Sequence, residues 1–384
     1  MLVMARDSER QDESATRRKF LLASGAAGVT ALAGCSGSSS EDGGSGESSA
    51  TSSGGESTEE AASGETETQS SSSSSPLTAD GSSTVYPITS DGGSVWNSNP
   101  PADDEEYWGP GQYDIDTDKP LADYWAGLYG FEPGSEGQPP FFVNVGLSHS
   151  GTGVEKVMNG QVDIGDSSAP VEDELPERDS YEQFVDHVVG VDGQPIVVSK
   201  AIKDAGVTKL TGDQLRQIYK GEITNWNEVG GPDREIQALG RAEGSGTDTA
   251  FRANLYDDPE ASMPGIDGRY GQNQQLQQAI ANSDNAIGYI ALAFVQPDGA
   301  VPPIALELEG TTYEYGKNLG AKGYPLSRDL HCYTWEGTSK KESAFLAMLL
   351  SEFGQTNFVE PNNYFKLPPE RREEEMAKLA EQSN

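Results

Sequence analysis

Residues 240–251 read GRAEGSGTDTAF. One guanidinium, that of Arg241, stands just ahead of a Gly-Ser-Gly-Thr turn, and a helix-like apolar run follows. A fixed cation aimed at a turn of small hydrogen-bond donors is chemistry for an anion, and the fork of an arginine suits tetrahedral oxygens. Glu243, two residues on, is expected to hold that fork in place; the plain alternative for the two is a surface ion pair. Two more turns share the design, ADGSSTVYPI (79–88) and LSHSGTGVEKVM (147–158). Each places Gly and Ser or Thr where a strand hands over to a helix. First-turn amides have no intrahelical partner there, and they point outward with the positive end of the helix dipole behind them. Serine is also simply a good N-cap, so one such turn decides nothing. Three that converge would surround a small anion with neutral donors and one formal positive charge.

Catalytic patterns fare worse. Nucleophile-elbow spacing does not occur around Ser245, and the histidines are three, His149, His187 and His331. His149 beside Ser150 is adjacency in sequence, which does not make a dyad. No cluster of His, Cys and carboxylates has zinc spacing, Cys332 next to His331 lacks partners, and no loop fits the Walker pattern. Acidic runs read as solvated faces rather than calcium sites. No catalytic residue, cofactor or metal is expected.

The elements that must position these turns sit in a lopsided chain. Asp and Glu number 62 against 26 Lys and Arg in 384 residues, a formal charge of −36. Such a surface repels nucleic acid and anionic lipid, which excludes both as partners. The surplus is spread through PADDEEYW, VEDELPERDS and ERREEEMAKL. That distribution fits concentrated salt, where the Debye length is about 3 Å at 1 M; an ordinary acidic soluble protein is the alternative. Ahead of the body, TRRKFLLASGAAGVTALAGC carries the paired Arg17 and Arg18 of a twin-arginine export signal. Its apolar run, Phe20 to Gly34, is short for a bilayer that needs roughly 20 residues. It ends in a lipobox-like Leu-Ala-Gly-Cys, which marks Cys35 for lipidation; an uncleaved anchor with an incidental cysteine is the alternative. Residues 1–35 are thus expected as signal and 36–76, almost all Ser, Gly, Glu and Thr, as a disordered acidic tether.

From Leu77 onward strand-like and helix-like runs alternate: FFVNVGL before GVEKVMNG, EIQALG before TDTAFRANLY, QQLQQAIANS before AIGYIAL. This alternation predicts an α/β protein with largely parallel sheets. Residues 91–140, aromatic and acidic, read as an irregular insertion ending in a helix at PLADYWAGLYGF.

GSSTVYPIT, SGTGVEKVMNGQVDIGDSSAP, IYKGEITNW, GRAEGSGTDTAF and NAIGYIAL, in that order, resemble the phosphate-binding proteins that deliver phosphate to ABC importers. The likeness runs from about Leu77 to the C-terminus, the insertion apart; the signal and charge further resemble haloarchaeal surface lipoproteins. It implies a two-lobed periplasmic-binding-protein-like fold (type II) with mixed or parallel sheets joined by two crossing hinge strands. The crossings are expected near GVDGQPIVVS and AIGYIALAF, giving 77–191 with 290–384 as one lobe and 192–289 as the other. Carried over by motif, the ligand would meet Ser83 and Thr84 in the first turn, Ser150 and Gly151 in the second, and Arg241, Ser245, Gly246 and Thr247 in the third, with Ser168 beside them. Ser168 is a departure, because some members place there an aspartate that accepts from protonated phosphate. Other members have Ser-Arg at this point, where Ala169 follows here. A carboxylate would reject sulfate, whereas a hydroxyl can donate or accept, so discrimination is expected to weaken. Asp166 is the candidate substitute acceptor. The implied protein is no enzyme but a monomeric, lipid-anchored solute binder on the outer face of the cell membrane, with inorganic phosphate and permease subunits as partners. Binding of sulfate, molybdate or arsenate stays open, as does a phosphoester hydrolase using Ser245 or Ser150.

Overall fold

The computed structural model describes residues 75–383 except Lys322. The export signal, Cys35 and nearly all of the tether therefore lie outside the described residues. Twelve strands lie among those described: β1 (Leu77–Gly81), β2 (Val143–Val145), β3 (Ile164–Ser167), β4 (Phe184–Gly193), β5 (Ile196–Val198), β6 (Lys209–Thr211), β7 (Gln237–Arg241), β8 (Gly268–Tyr270), β9 (Ala286–Tyr289), β10 (Pro303–Leu308), β11 (Thr311–Tyr313) and β12 (Ser327–Trp335). They form two sheets, one ordered β2-β1-β3-β12-β4, the other β11-β10-β5-β9-β7-β8 with β6 on β10. Parallel pairs (β1 with β2 and β3, β7 with β8 and β9) sit beside antiparallel ones (β12 with β3 and β4, β5 with β9 and β10). The fold is thus a mixed, two-lobed α/β one, as the alternation of the sequence implies.

Helices follow the strands that carry the three turns: α1 (Tyr86–Ser98) after β1, α3 (Ser150–Met158) after β2, α5 (Gly246–Tyr256) after β7. Between them lie α2 (Leu121–Gly127) and α4 (Gly212–Lys220); α6 (Asn273–Ala281) and α7 (Lys340–Leu350) come later. From Ser343 to Leu350 every residue of α7 is buried. An apolar surface all round the helix, FLAMLL, produces this, since such a helix must be covered on all sides.

The crossings bring one agreement and one correction. β4 ends at Gly193 and the chain passes within two residues into β5 of the other sheet, as GVDGQPIVVS predicts. The return was expected near Ala286–Phe294, but β9 stays in the second sheet, and β10 and β11 pair there too. The chain comes back only at Ser327, where β12 begins opposite Gly193. Two neighbouring antiparallel strands, β4 and β12, therefore carry both crossings. The reason for the miss is that PIALEL and TTY form a hairpin whose apolar residues bury against β5, a pairing invisible to local periodicity.

The stretch 91–140 is less of an appendage than its composition implies. α1 takes in its first residues and α2 falls in the expected PLADYWAGLYGF. Trp96, Trp108 and Trp125 are all buried, and Trp108 meets Phe353 edge-on at 5.0 Å. Aromatic area of this size is a large part of what fixes the segment to the first lobe.

Candidate functional site

The three turns converge. Each follows the carboxyl end of a parallel strand, where α/β sheets leave amides and loops free for ligands. In capping terms the turns differ from other helices of the molecule. The residues before α1, α3 and α5 are Val85, His149 and Ser245, and none caps its helix through a side chain. By contrast Thr211 and Ser339 close full capping boxes on α4 and α7. The hydroxyls of the three turns are therefore not N-caps, which removes the simplest structural explanation for them.

They bond to one another and to arginine instead. Thr84 Oγ1 lies 3.0 Å from Thr247 Oγ1, across 163 positions of sequence. Arg241 Nη1 donates to Thr247 Oγ1 at 3.1 Å and Nη2 to Ser83 Oγ at 3.2 Å, while its Nε and Nη2 also reach the carbonyls of Tyr270 and Gly271. Ser168 Oγ accepts from Ser82 Oγ at 3.0 Å and faces Ser150 Oγ at 3.3 Å. Gly246 packs so closely here that a Cβ would fall on the Ser150 hydroxyl and 2.8 Å from Ser168 Oγ. Ser245 is buried beside them. Of the ligand-binding residues expected from sequence, Gly151 is placed least as foreseen: its amide donates to the Gly244 carbonyl at 3.3 Å.

The electrostatics are unusual. Arg241 is 1 % exposed, its acceptors are all neutral, and it makes no ion pair with a carboxylate among the described residues. Burial first, and then the guanidinium of Arg328, pull it down to about 9, so it is still protonated at neutral pH. A buried cation without a counter-ion is costly, and it becomes favourable when an anion arrives.

Two expectations are corrected. Glu243 does not hold Arg241: it is exposed, and the bonds of the guanidinium go elsewhere. Gly244, with φ +74°, turns the chain directly after it. Asp166 is no substitute acceptor. Its carboxylate takes Thr89 Oγ1 at 2.8 Å and the Cys332 thiol at 3.3 Å, and burial pushes it up to about 7. β3 ends at Ser167, so Ser168 has left the strand and goes to the hydroxyl cluster, while Asp166 stays in it with Thr89 and Cys332 as partners.

Three residues were missed. Asn273, the first residue of α6, donates Nδ2 to Ser83 Oγ and Thr84 Oγ1 at 3.1 and 3.0 Å. Arg328 on β12 reaches Thr84 Oγ1 at 3.3 Å and Thr247 Oγ1 at 3.1 Å, and it pairs with Asp192 on β4 at 2.8 Å. The sequence did carry a signal for Arg328, a charge two residues from Leu326 and Leu330 on the face of a strand whose apolar residues are buried. At the edge of the cluster Glu174 is pushed up to about 8, mainly by burial. His149 is lowered by burial and then by Arg241.

Residues 121–353 match the profile of the PBP superfamily domain. The chain belongs to this family. It is 32 % identical over 229 residues to the phosphate-binding protein PstS of Bacillus subtilis, covering 60 % of this chain and 72 % of that one. It is 26 % identical over 247 residues to the PstS of Staphylococcus saprophyticus, 62 % of this chain and 75 % of the other. In fold it is similar to a Clostridium perfringens protein assigned as a phosphate ABC transporter substrate-binding protein and crystallised with bound phosphate. The TM-score is 0.58 at 22 % identity, over 77 % of this chain and 100 % of that one. The family is one of transport binding proteins rather than enzymes. The family match begins after the first turn, so Ser83 and Thr84 join the site on geometry alone.

Proposed function

We propose that this protein captures inorganic phosphate between its two lobes and passes it to the permease subunits of an ABC importer. The observation that carries the reading is Arg241, a buried guanidinium with only neutral partners, ringed by hydroxyls of Ser83, Thr84 and Thr247 and backed by Ser150, Ser168, Ser245 and Gly246. Relatives named as phosphate-binding proteins support the choice of anion. The lobes divide as the sheets do, with β4 and β12 as the hinge, and the ligand draws the turns of the two together. A body of charge −36 gains nothing from long-range steering of an anion, so capture rests on short-range donors, and molar salt outside the cell makes this workable. Export by the twin-arginine signal and lipidation of Cys35 would hold a monomer on the outer face of the membrane; these follow from the sequence of residues 1–35. The protein is no enzyme in this reading.

Titration calorimetry of the full chain in molar potassium chloride tests it, with phosphate expected to bind and sulfate to bind more weakly. Sulfate binding as tightly as phosphate would replace phosphate by a broader class of oxyanion. Turnover of a chromogenic phosphoester that vanished in Ser245→Ala would replace the binder by a hydrolase.

A further inference from the structure

Arg328 stands on one of the two crossing strands, 6 % exposed, and its guanidinium is bonded in three directions. Nε and Nη2 grip one oxygen of Asp192, on the other crossing strand, at 3.0 and 2.8 Å. Nη1 donates to the carbonyls of Ser168 in the first lobe and Gly246 in the second, at 3.3 and 3.0 Å. Nη2 also reaches the hydroxyls of Thr84 and Thr247, one from each lobe. The other oxygen of Asp192 takes the Leu292 amide at 2.9 Å, so the carboxylate that aims Arg328 is itself fixed.

Thr247 Oγ1 is thus an acceptor for two cations, with Arg241 Nη1 and Arg328 Nη2 each at 3.1 Å. Asp192 offsets one of these charges, and the other meets no carboxylate among the described residues. Two buried guanidiniums pointing at one hydroxyl repel each other unless an anion lies between them, and a tetrahedral oxyanion has enough oxygens for both forks. We propose that Arg328 is a second ligand-binding guanidinium of this site, carried by the hinge itself, and that a bound tetrahedral oxyanion takes over its bonds to Thr84 and Thr247 and so pins the crossing strands and both lobes together. This rests on the phosphate-capture reading and adds to it the residue that couples ligand charge to closure. Asp192 acts as the positioning residue, since its contacts are with Arg328 and backbone.

The experiment is calorimetry with inorganic phosphate on the full chain, joined to small-angle scattering with and without phosphate. The variants are Arg328→Lys and the double variant Arg328→Gln with Asp192→Asn, which removes both charges and leaves no buried carboxylate unpaired. The double variant is expected to weaken phosphate binding by about 30-fold to several thousand-fold, the range for a buried charged contact. Arg328→Lys keeps the charge and loses the fork, with an expected loss of about tenfold or more. Phosphate should shrink the radius of gyration of the wild type and do so less in either variant at equal occupancy. Phosphate binding by a folded variant within about threefold of wild type, with unchanged contraction, overturns the proposal. A wild type that binds no phosphate overturns the capture reading instead, which keeps the two failures apart. Should the double variant not fold, Arg328→Lys alone decides.

Discussion

Two opposite electrostatic arrangements lie side by side where β7 hands over to α5. Arg241, at the end of β7, is surrounded by hydroxyls and carbonyls, with no carboxylate among the described residues in ion-pair range. Asp248 is held by Arg252 at 2.5 Å, by Arg269 at 3.2 Å and by the hydroxyl of Tyr289. Arg269 also donates to the Arg241 carbonyl at 2.8 Å, so the two regions share a backbone. In the second cluster each guanidinium meets a carboxylate within the fold. The first is left one anion short. A buried ionic group whose partners are all internal serves the fold, whereas a buried cation without a partner marks the place where a ligand completes the structure.

The largest expected effect separates these roles. Asp248→Ala leaves the largely buried Arg252 without its carboxylate, takes a partner from the buried hydroxyl of Tyr289, and should cost about 3–5 kcal/mol of folding stability by denaturant titration, with phosphate affinity kept in the folded fraction. Equal loss of binding would merge the two regions into one. Arg241→Ala should do the reverse, lowering phosphate affinity by roughly 2–5 kcal/mol in calorimetry while stability falls less than in Asp248→Ala. Next comes Gly246→Ala, whose methyl would land on the Ser150 hydroxyl. Overpacking of this kind costs about 1–3 kcal/mol, expected here in phosphate affinity, and unaltered affinity would mean that this close approach is incidental. The smallest effect on phosphate affinity concerns Asp166, within β3. Asp166 is held at about 7 in the fold against a usual 3.8, so between those values the folded state keeps a proton that the unfolded state has lost. Stability therefore falls as pH rises through that window, by at most about 1.4 kcal/mol per unit, and is level on either side. Asp166→Asn should flatten this slope in thermal unfolding and leave phosphate affinity unchanged; a loss of affinity would bring the carboxyl into the site after all.

Much of the candidate site's geometry was legible because each of its pieces is local. Ser83 with Thr84, Ser150, and Arg241 with Ser245 to Thr247 lie within single strand-to-helix handovers, and strand, turn and helix are all specified by residues a few positions apart. The same locality misled for Glu243, where closeness in sequence stood in for contact, and Gly244 at positive φ separates the two side chains. It misled again for Asp166, two residues from Ser168 but bonded to Thr89 and Cys332. The return crossing was misplaced by more than thirty residues because a strand's partner sheet leaves no mark in its own period.

The sequence by itself determined that three glycine and hydroxyl turns follow strands, that one carries an arginine, and that the body is acidic throughout. Only the tertiary structure decided that a second arginine would join them. Arg328 meets Asp192 because β12 lies antiparallel to β4 with those two residues directly opposite, 136 positions apart in the chain. That register comes from the packing of two long strands, and a slip of one residue would have turned the guanidinium to the opposite face.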